Sequence, residues 1–184
     1  YLVPEIALTP QVVDRLISRF GDQVLIYHSK FSIHERAEVW ESVLHPQSSG
    51  KIIVGARSAI FLPFQDLGLV IVDEEHENSY KQFDPAPRYQ ARDSVIYLAN
   101  LMNARVLLGS ATPSIETAEN VRNGKYGWVK LLERFGGVSL PKIELVDLKE
   151  AQRKKHMSGM FSQTLIDAMK ETFALEKQVI LFQN

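Results

Sequence analysis

Four short runs of Val, Ile and Leu, at residues 24–27, 51–54, 69–72 and 105–108, set the tightest limit on what this chain can fold into. Each is near-continuous in apolar side chains rather than alternating, the pattern of strands covered on both faces. Helix patterns separate them. Thr9-Pro-Gln-Val-Val-Asp-Arg-Leu-Ile-Ser-Arg-Phe20 places an N-cap threonine before a proline at the first helical position, and Gly21 follows its end. Its Val12, Val13, Leu16, Ile17 and Phe20 make one apolar stripe. Ser32-Ile-His-Glu35 is a capping box, opening a helix expected to bury Ala37, Trp40 and Leu44. Two more helices fit 92–101 and 113–123, the latter stopped by Gly124. Such alternation indicates an α/β fold with a mainly parallel sheet.

With 184 residues, 45% of them hydrophobic, the chain can hold one domain, or one domain and part of another. Gly136-Gly-Val-Ser-Leu-Pro141 reads as a hinge, giving units at 1–139 and 140–184. The second unit is expected to run as a strand at 143–148, a basic loop through Arg153-Lys-Lys155, a helix near 161–175 and a strand at 179–182. One βαβ unit cannot form its own core, so this is read as the start of a second domain. Both chain ends fall inside apolar runs, which reads as an excised piece. No apolar run reaches transmembrane length, and the absence of cysteine excludes disulfides and thiolate metal sites in this span. The net charge of −1 gives no overall field for phosphate, so nucleic-acid binding requires a local patch.

Leu69-Val-Ile-Val-Asp-Glu-Glu-His76 drives a buried strand directly into three carboxylates. Burying one unpaired carboxylate costs several kcal/mol, so the cluster either lies in solvent or holds something positive. In a doubly wound sheet, ligands sit beyond the carboxyl ends of the strands, where Asp73 falls. An aspartate there can hold Mg²⁺ together with phosphate oxygens, and Glu74 could orient an attacking water. The alternative is an acidic turn without a ligand. Leu107-Leu-Gly-Ser-Ala-Thr-Pro113 ends a second buried strand at the same edge, in small and hydroxyl residues. Thr112 and Pro113 also fit a helix start. Between these tips, Tyr80, Phe83 and Tyr89 are interleaved with Lys81, Arg88 and Arg92 in a stretch broken by two prolines. Aromatic faces can stack on unpaired bases while basic groups meet phosphate; equally, they can pin a loop to the core. A stretch of this kind is expected to be poorly anchored. Arg153-Lys-Lys-His156 reads as a solvated loop, and the histidines show no zinc-ligand spacing.

Asp73-Glu-Glu-His76 followed by Gly109-Ser-Ala-Thr112 resembles motifs II and III of superfamily 2 helicases. Val3-Pro-Glu-Ile-Ala-Leu-Thr-Pro-Gln11, Tyr27-His-Ser29, Gly55-Ala-Arg-Ser-Ala-Ile-Phe61, Ser79-Tyr-Lys-Gln82, Arg88-Tyr-Gln-Ala-Arg-Asp93 and Val179-Ile-Leu-Phe-Gln-Asn184 resemble the bacterial primosomal replication-restart branch, across essentially the whole chain. The resemblance implies an incomplete first RecA-like lobe of P-loop NTPase type and the start of a second. It also implies a cytoplasmic 3′→5′ DNA helicase driven by ATP and Mg²⁺, acting on single-stranded and forked DNA with primosome and single-strand-binding proteins. Asp73 would be the Mg²⁺ ligand, Glu74 the water-activating carboxylate and His76 the sensor of nucleotide state. Ser110, Ala111 and Thr112 would couple hydrolysis to DNA. Arg57, Tyr80, Lys81, Phe83, Arg88, Tyr89 and Arg92 would contact DNA.

No Gly-x-x-x-x-Gly-Lys-Ser/Thr occurs in the sequence, so the phosphate-cradling loop is absent from this span. The family's arginine finger and its Zn²⁺-binding cysteines are likewise expected elsewhere, and the 184 residues alone are expected to be inactive as an ATPase. Two other functions fit the residues: a metal-dependent hydrolase using Asp73, Glu74 and Glu75, and a catalytically silent DNA-binding or scaffold module. The apolar 105–108 strand is expected to leave an open sheet edge through which chains could self-associate.

Overall fold

The computed structural model describes residues 1–5, 8, 10–45, 51–133, 135–137 and 140–182, and divides between Trp128 and Val129 into two compact units. That division lies upstream of the 139/140 boundary read from the hinge, whose Val138 and Ser139 fall outside the described residues.

In the first unit, α1 (Pro10–Phe20) leads to β1 (Val24–Tyr27), α2 (Ile33–Leu44), β2 (Ile52–Gly55) and β3 (Leu69–Val72). Then come α3 (Ala91–Leu101), β4 (Arg105–Leu108) and α4 (Ile115–Arg122). β1 pairs parallel with β2 from Val24↔Ile52 to Tyr27↔Gly55, and β3 pairs parallel with β4 from Leu69↔Arg105 to Val72↔Leu108. Leu2 joins the two pairs, bridging Gly55 on one side and Val72 on the other, both in parallel. The N-terminal segment therefore lies mid-sheet, fixed by hydrogen bonds from Leu2 N–H to Ile71 and from Val3 N–H to Gly55. Gly55 admits no side chain, since a Cβ would lie 2.6 Å from both the Ala59 Cβ and the Tyr27 carbonyl oxygen.

The core gathers Leu2, Val70 and Val72 of the sheet with Ala59, Ile60 and Leu62 of the 3₁₀ segment Arg57–Phe61 and its end. Ala91, Val95 and Ala99 of α3, with Val43 of α2 and Tyr80, complete it. Leu, Ile and Val bury about 1.5–3 kcal/mol each, so this cluster carries the unit. Three local expectations need correction. The capping box is formed, with Glu35 N–H donating to Ser32 Oγ at 3.2 Å and Ser32 N–H to Glu35 Oε2 at 2.7 Å. The helix it opens, however, buries Val43 and half-buries Arg36, Val39, Ser42 and Leu44, so that of the three expected residues only Leu44 is partly covered, with Trp40 42% exposed and Ala37 outside. β4 is not covered on both faces: Arg105 and Leu107 point outward, and Leu107 is 55% exposed. α4 is capped by Ser114, whose Oγ accepts from Thr117 N–H, and not by Thr112. Thr9, the expected cap of α1, lies outside the described residues.

The second unit contains α5 (Leu148–Arg153), a hairpin of β5 (Met157–Ser158) and β6 (Phe161–Ser162), and α6 (Gln163–Ala174). The strands expected at 143–148 and 179–182 are absent among the described residues, and Arg153 ends a helix where a basic loop was expected. Asp147 caps α5 through Lys149 and Glu150 N–H, which diverts the end of the 143–148 run into a helix start. Gly159 (φ +61°) turns the hairpin, a conformation glycine adopts without steric cost.

Candidate active site

β3 and β4 end side by side, and the turn after each carries the polar residues. Asp73 N–H still donates to Leu2 at 2.9 Å, so the carboxylate stands at the carboxyl edge of the sheet. Its Oδ2 accepts from the Tyr1 hydroxyl at 2.7 Å and its Oδ1 from Glu74 N–H at 3.0 Å. Burial, and then the neighbouring Asp73, push the Tyr1 phenol up to about 12, so it remains a donor. Asp73 makes no ion pair among the described residues, and no group of three acidic or histidine side chains there could hold a metal alone. A cation at this carboxylate would draw most of its oxygens from a ligand and water, a donor set that suits Mg²⁺ with phosphate.

Glu74 adopts φ +46°, left-handed backbone that costs a non-glycine residue about 1–2 kcal/mol. The turn is closed by Glu77 N–H donating to Glu74 O at 2.8 Å, and it leaves the Glu74 carboxylate in solvent. Strain of this sort collects where a side chain must be presented in one direction. His76 ties the two tips together. Its Nδ1 lies 2.7 Å from Ser110 Oγ and 3.7 Å from Glu74 Oε2, while Nε2 lies 3.4 Å from Thr112 Oγ1. Thr112 N–H in turn donates to Ser110 Oγ at 3.0 Å. Ala111 is exposed between the two hydroxyl residues.

Glu75, adjacent to both, turns the other way. It is 1% exposed and accepts from Arg92 Nη1 (2.9 Å), Ser114 N–H (2.7 Å), Ser114 Oγ (3.0 Å) and Thr117 Oγ1 (2.9 Å). Burial would raise its pKa, but the donors of Ser114, Thr117 and Arg92 outweigh it and hold the carboxyl below its ordinary value. The acidic cluster is thus split, with Asp73 and Glu74 facing outward and Glu75 forming a buried ion pair. Sequence reasoning missed this role. One signal was legible: Arg92 puts a cation in the first turn of a helix, against the macrodipole, which calls for an acidic partner.

The same contacts correct two expected DNA ligands. Arg92 is buried against Glu75 and also bonds Asp93 Oδ1 at 2.8 Å. Tyr80 is 1% exposed, and its hydroxyl donates to Asp73 O at 2.6 Å. Both serve the turn's architecture and present no face to a nucleic acid. Lys81, Phe83 and Arg88 are exposed, with the Lys81 ammonium 5.9 Å from the Phe83 ring centre. Tyr89 is half-buried, edge-on to Phe61 at 4.9 Å. Arg57 braces the loop from below, donating to Ser79 O (3.2 Å) and Lys81 O (3.4 Å). The stretch is better anchored than its prolines suggest. Lys81 and Gln90 form an antiparallel bridge, Gln82 N–H donates to Tyr89 O at 2.9 Å, and Gln82 Nε2 donates to Pro85 O at 2.8 Å.

Comparison with known proteins matches residues 1–121 to the DEAD/DEAH box helicase family. The chain is 43% identical over 183 residues to replication restart protein PriA of Bacillus subtilis (strain 168), covering all of this chain and 22% of that protein. It is 42% identical to its namesake in Rickettsia felis and 43% identical to that in Haemophilus influenzae, covering 28% and 24% of those proteins. The chain spans about a quarter of the length of the curated relatives it matches.

Proposed function

The chain belongs to the DEAD/DEAH box helicase family, and from that premise we propose that it is part of the motor of an ATP-dependent 3′→5′ DNA helicase of replication restart. The observation that carries this reading is the contact of His76 Nδ1 with Ser110 Oγ at 2.7 Å, which joins the acidic turn to the 109–112 tip. ATP with Mg²⁺ supplies the phosphoanhydride and the charge that neutralises it. Asp73 is the residue that would hold the cation. Glu74, thrust outward by its left-handed backbone, takes the proton of the attacking water. His76 reports the state of that turn to Ser110 and Thr112 through its two ring nitrogens. Lys81, Phe83, Arg88 and Tyr89 offer stacking faces and cations to single-stranded DNA, with Arg57 as their brace. In this reading the protein works in the bacterial cytoplasm at forked DNA, alongside primosome and single-strand-binding proteins.

In the full-length protein, Glu74→Gln should retain nucleotide binding while lowering turnover about 10²–10⁴-fold, the loss expected of a general base. Unchanged turnover would remove Glu74 from the role. Metal binding without nucleotide would point instead to a metal-dependent hydrolase, and DNA affinity with no ATP turnover to a scaffold.

A further inference from the structure

One buried carboxylate is shared by three segments that are distant in sequence. Glu75 belongs to the acidic turn. Arg92 sits in the first turn of α3, two residues beyond Gln90, which closes the root of the 81–90 loop against Lys81. Ser114 caps α4, directly after the 109–112 tip, and Thr117 lies in that helix's first turn. Arg92 Nη1 reaches Ser114 Oγ at 2.8 Å as well as Glu75, so the three segments meet at one point. Glu75 N–H also donates to Gly109 O at 3.0 Å, a second tie between turn and tip. The groups flanking Glu75 in sequence are the two with exposed or half-exposed functional atoms, Glu74 and His76. A displacement of the α3 N-terminus that keeps the Arg92–Glu75 contact therefore moves the residue between them.

We propose that Glu75 and Arg92 are positioning residues: their buried ion pair, shared with Ser114 and Thr117, locks the loop root, the acidic turn and the 109–114 segment into one body, so that engagement of the 81–90 loop by single-stranded DNA resets where Glu74 and His76 stand. This deepens the proposed function and rests on it. Neither residue touches nucleotide or DNA in this scheme. Their effect is exerted through the backbone on either side of Glu75 and through the first turn of α3.

The test compares the full-length protein with Glu75→Gln, Arg92→Lys and Thr117→Val variants. It reads ATP turnover without DNA, turnover with saturating oligo(dT), oligo(dT) affinity by anisotropy, and the thermal midpoint. Arg92→Lys keeps the charge but cannot reach Asp93, Glu75 and Ser114 together. It should keep basal turnover and DNA affinity close to the unsubstituted protein while DNA stimulation falls about 5–150-fold, the usual range of coupling between sites. Glu75→Gln should do the same, and Thr117→Val, which removes one donor and leaves the ion pair, should show a smaller fall. If Glu75→Gln does not fold, the other two variants decide. Stimulation that survives in Arg92→Lys and Thr117→Val would overturn the inference. Basal and stimulated turnover falling in equal proportion with the thermal midpoint would overturn it too, leaving a merely structural pair. Absence of DNA-stimulated turnover in the unsubstituted protein would sink the proposed function, and this inference with it.

Discussion

Tyr80 and Phe83 are three residues apart, both aromatic and beside the same lysine, yet their substitution should have opposite consequences. Tyr80 is enclosed in the core, and its hydroxyl is the donor to the Asp73 carbonyl. Truncation to alanine opens a cavity worth about 3–5 kcal/mol. Tyr80→Phe keeps the ring and orphans the carbonyl, at about 1–3 kcal/mol. Phe83 is 65% exposed, so its truncation should change stability by less than about 0.5 kcal/mol. What it should remove is a stacking face, worth about 1–3 kcal/mol of affinity for single-stranded DNA, or roughly 5–150-fold in Kd. Hydrogen exchange of the full-length protein reads the first effect locally. Amides of the 69–80 segment should exchange roughly 10²–10⁴-fold faster in Tyr80→Ala, moderately faster in Tyr80→Phe, and at an unchanged rate in Phe83→Ala. Anisotropy with oligo(dT) reads the second, and only Phe83→Ala should weaken binding while leaving exchange untouched. Unaltered exchange in Tyr80→Ala with a large loss of DNA affinity would refute the assignment of Tyr80 to the core.

Glu75 makes stability depend on acidity. Its folded pKa lies below the ordinary 4.5, so its contribution is present above that value and is lost as pH falls through the lower folded one. Urea unfolding followed from neutral pH to pH 3 or so should show a shallower acid decline in Glu75→Gln than in the unsubstituted chain, and parallel declines would exclude Glu75 as the source. The 184-residue chain by itself should hydrolyse no ATP above background with or without DNA, because it contains no phosphate-cradling glycine loop; measurable turnover would contradict this. Among the described residues β4 pairs only with β3, and Leu107 stands exposed on it, so this chain should self-associate with rising concentration. Leu107→Lys should suppress that in sedimentation velocity, and a clean monomer of the unsubstituted chain at high concentration would rule it out.

The parallel strands were legible because a continuous Val/Ile/Leu run that ends in polar residues has few other solutions. The site's outward half was legible for the same reason, since Asp73 and the 109–112 tip must fall at one sheet edge. The phase of α2 was not. Two stripes compete on it, one through Ala37, Trp40 and Leu44 and one through Val39 and Val43, and the fold buries Val43, half-buries Val39 and Leu44 and leaves the indole largely outside. The 143–148 and 179–182 runs have strand composition, but a strand exists only against a partner, and composition does not say whether one is present. Arg92 called for an acidic partner, but that Glu75 is the partner was illegible for a related reason. Its partners lie 17, 39 and 42 residues away, and only the assembled sheet brings them within 3 Å. Tyr80 and Arg92 were misjudged because a tyrosine and an arginine in an aromatic, basic stretch look the same whether they face solvent or a buried carbonyl.

The pinched base of the 81–90 loop has a further consequence. Because Lys81 meets Gln90, and Gln82 meets Tyr89, the loop leaves and re-enters the domain at nearly one point. Whatever lies between can be lengthened, shortened or recoloured without altering the path of the chain on either side. Loop-closure entropy grows only slowly with length, at about 0.6 kcal/mol per doubling, so such changes cost little. The segment behaves as an interchangeable cartridge seated in a fixed socket. On the proposed function, changes between Gln82 and Tyr89 would alter the preference for nucleic acid while leaving the acidic turn as it is, and a designer could graft a foreign loop there on the same terms.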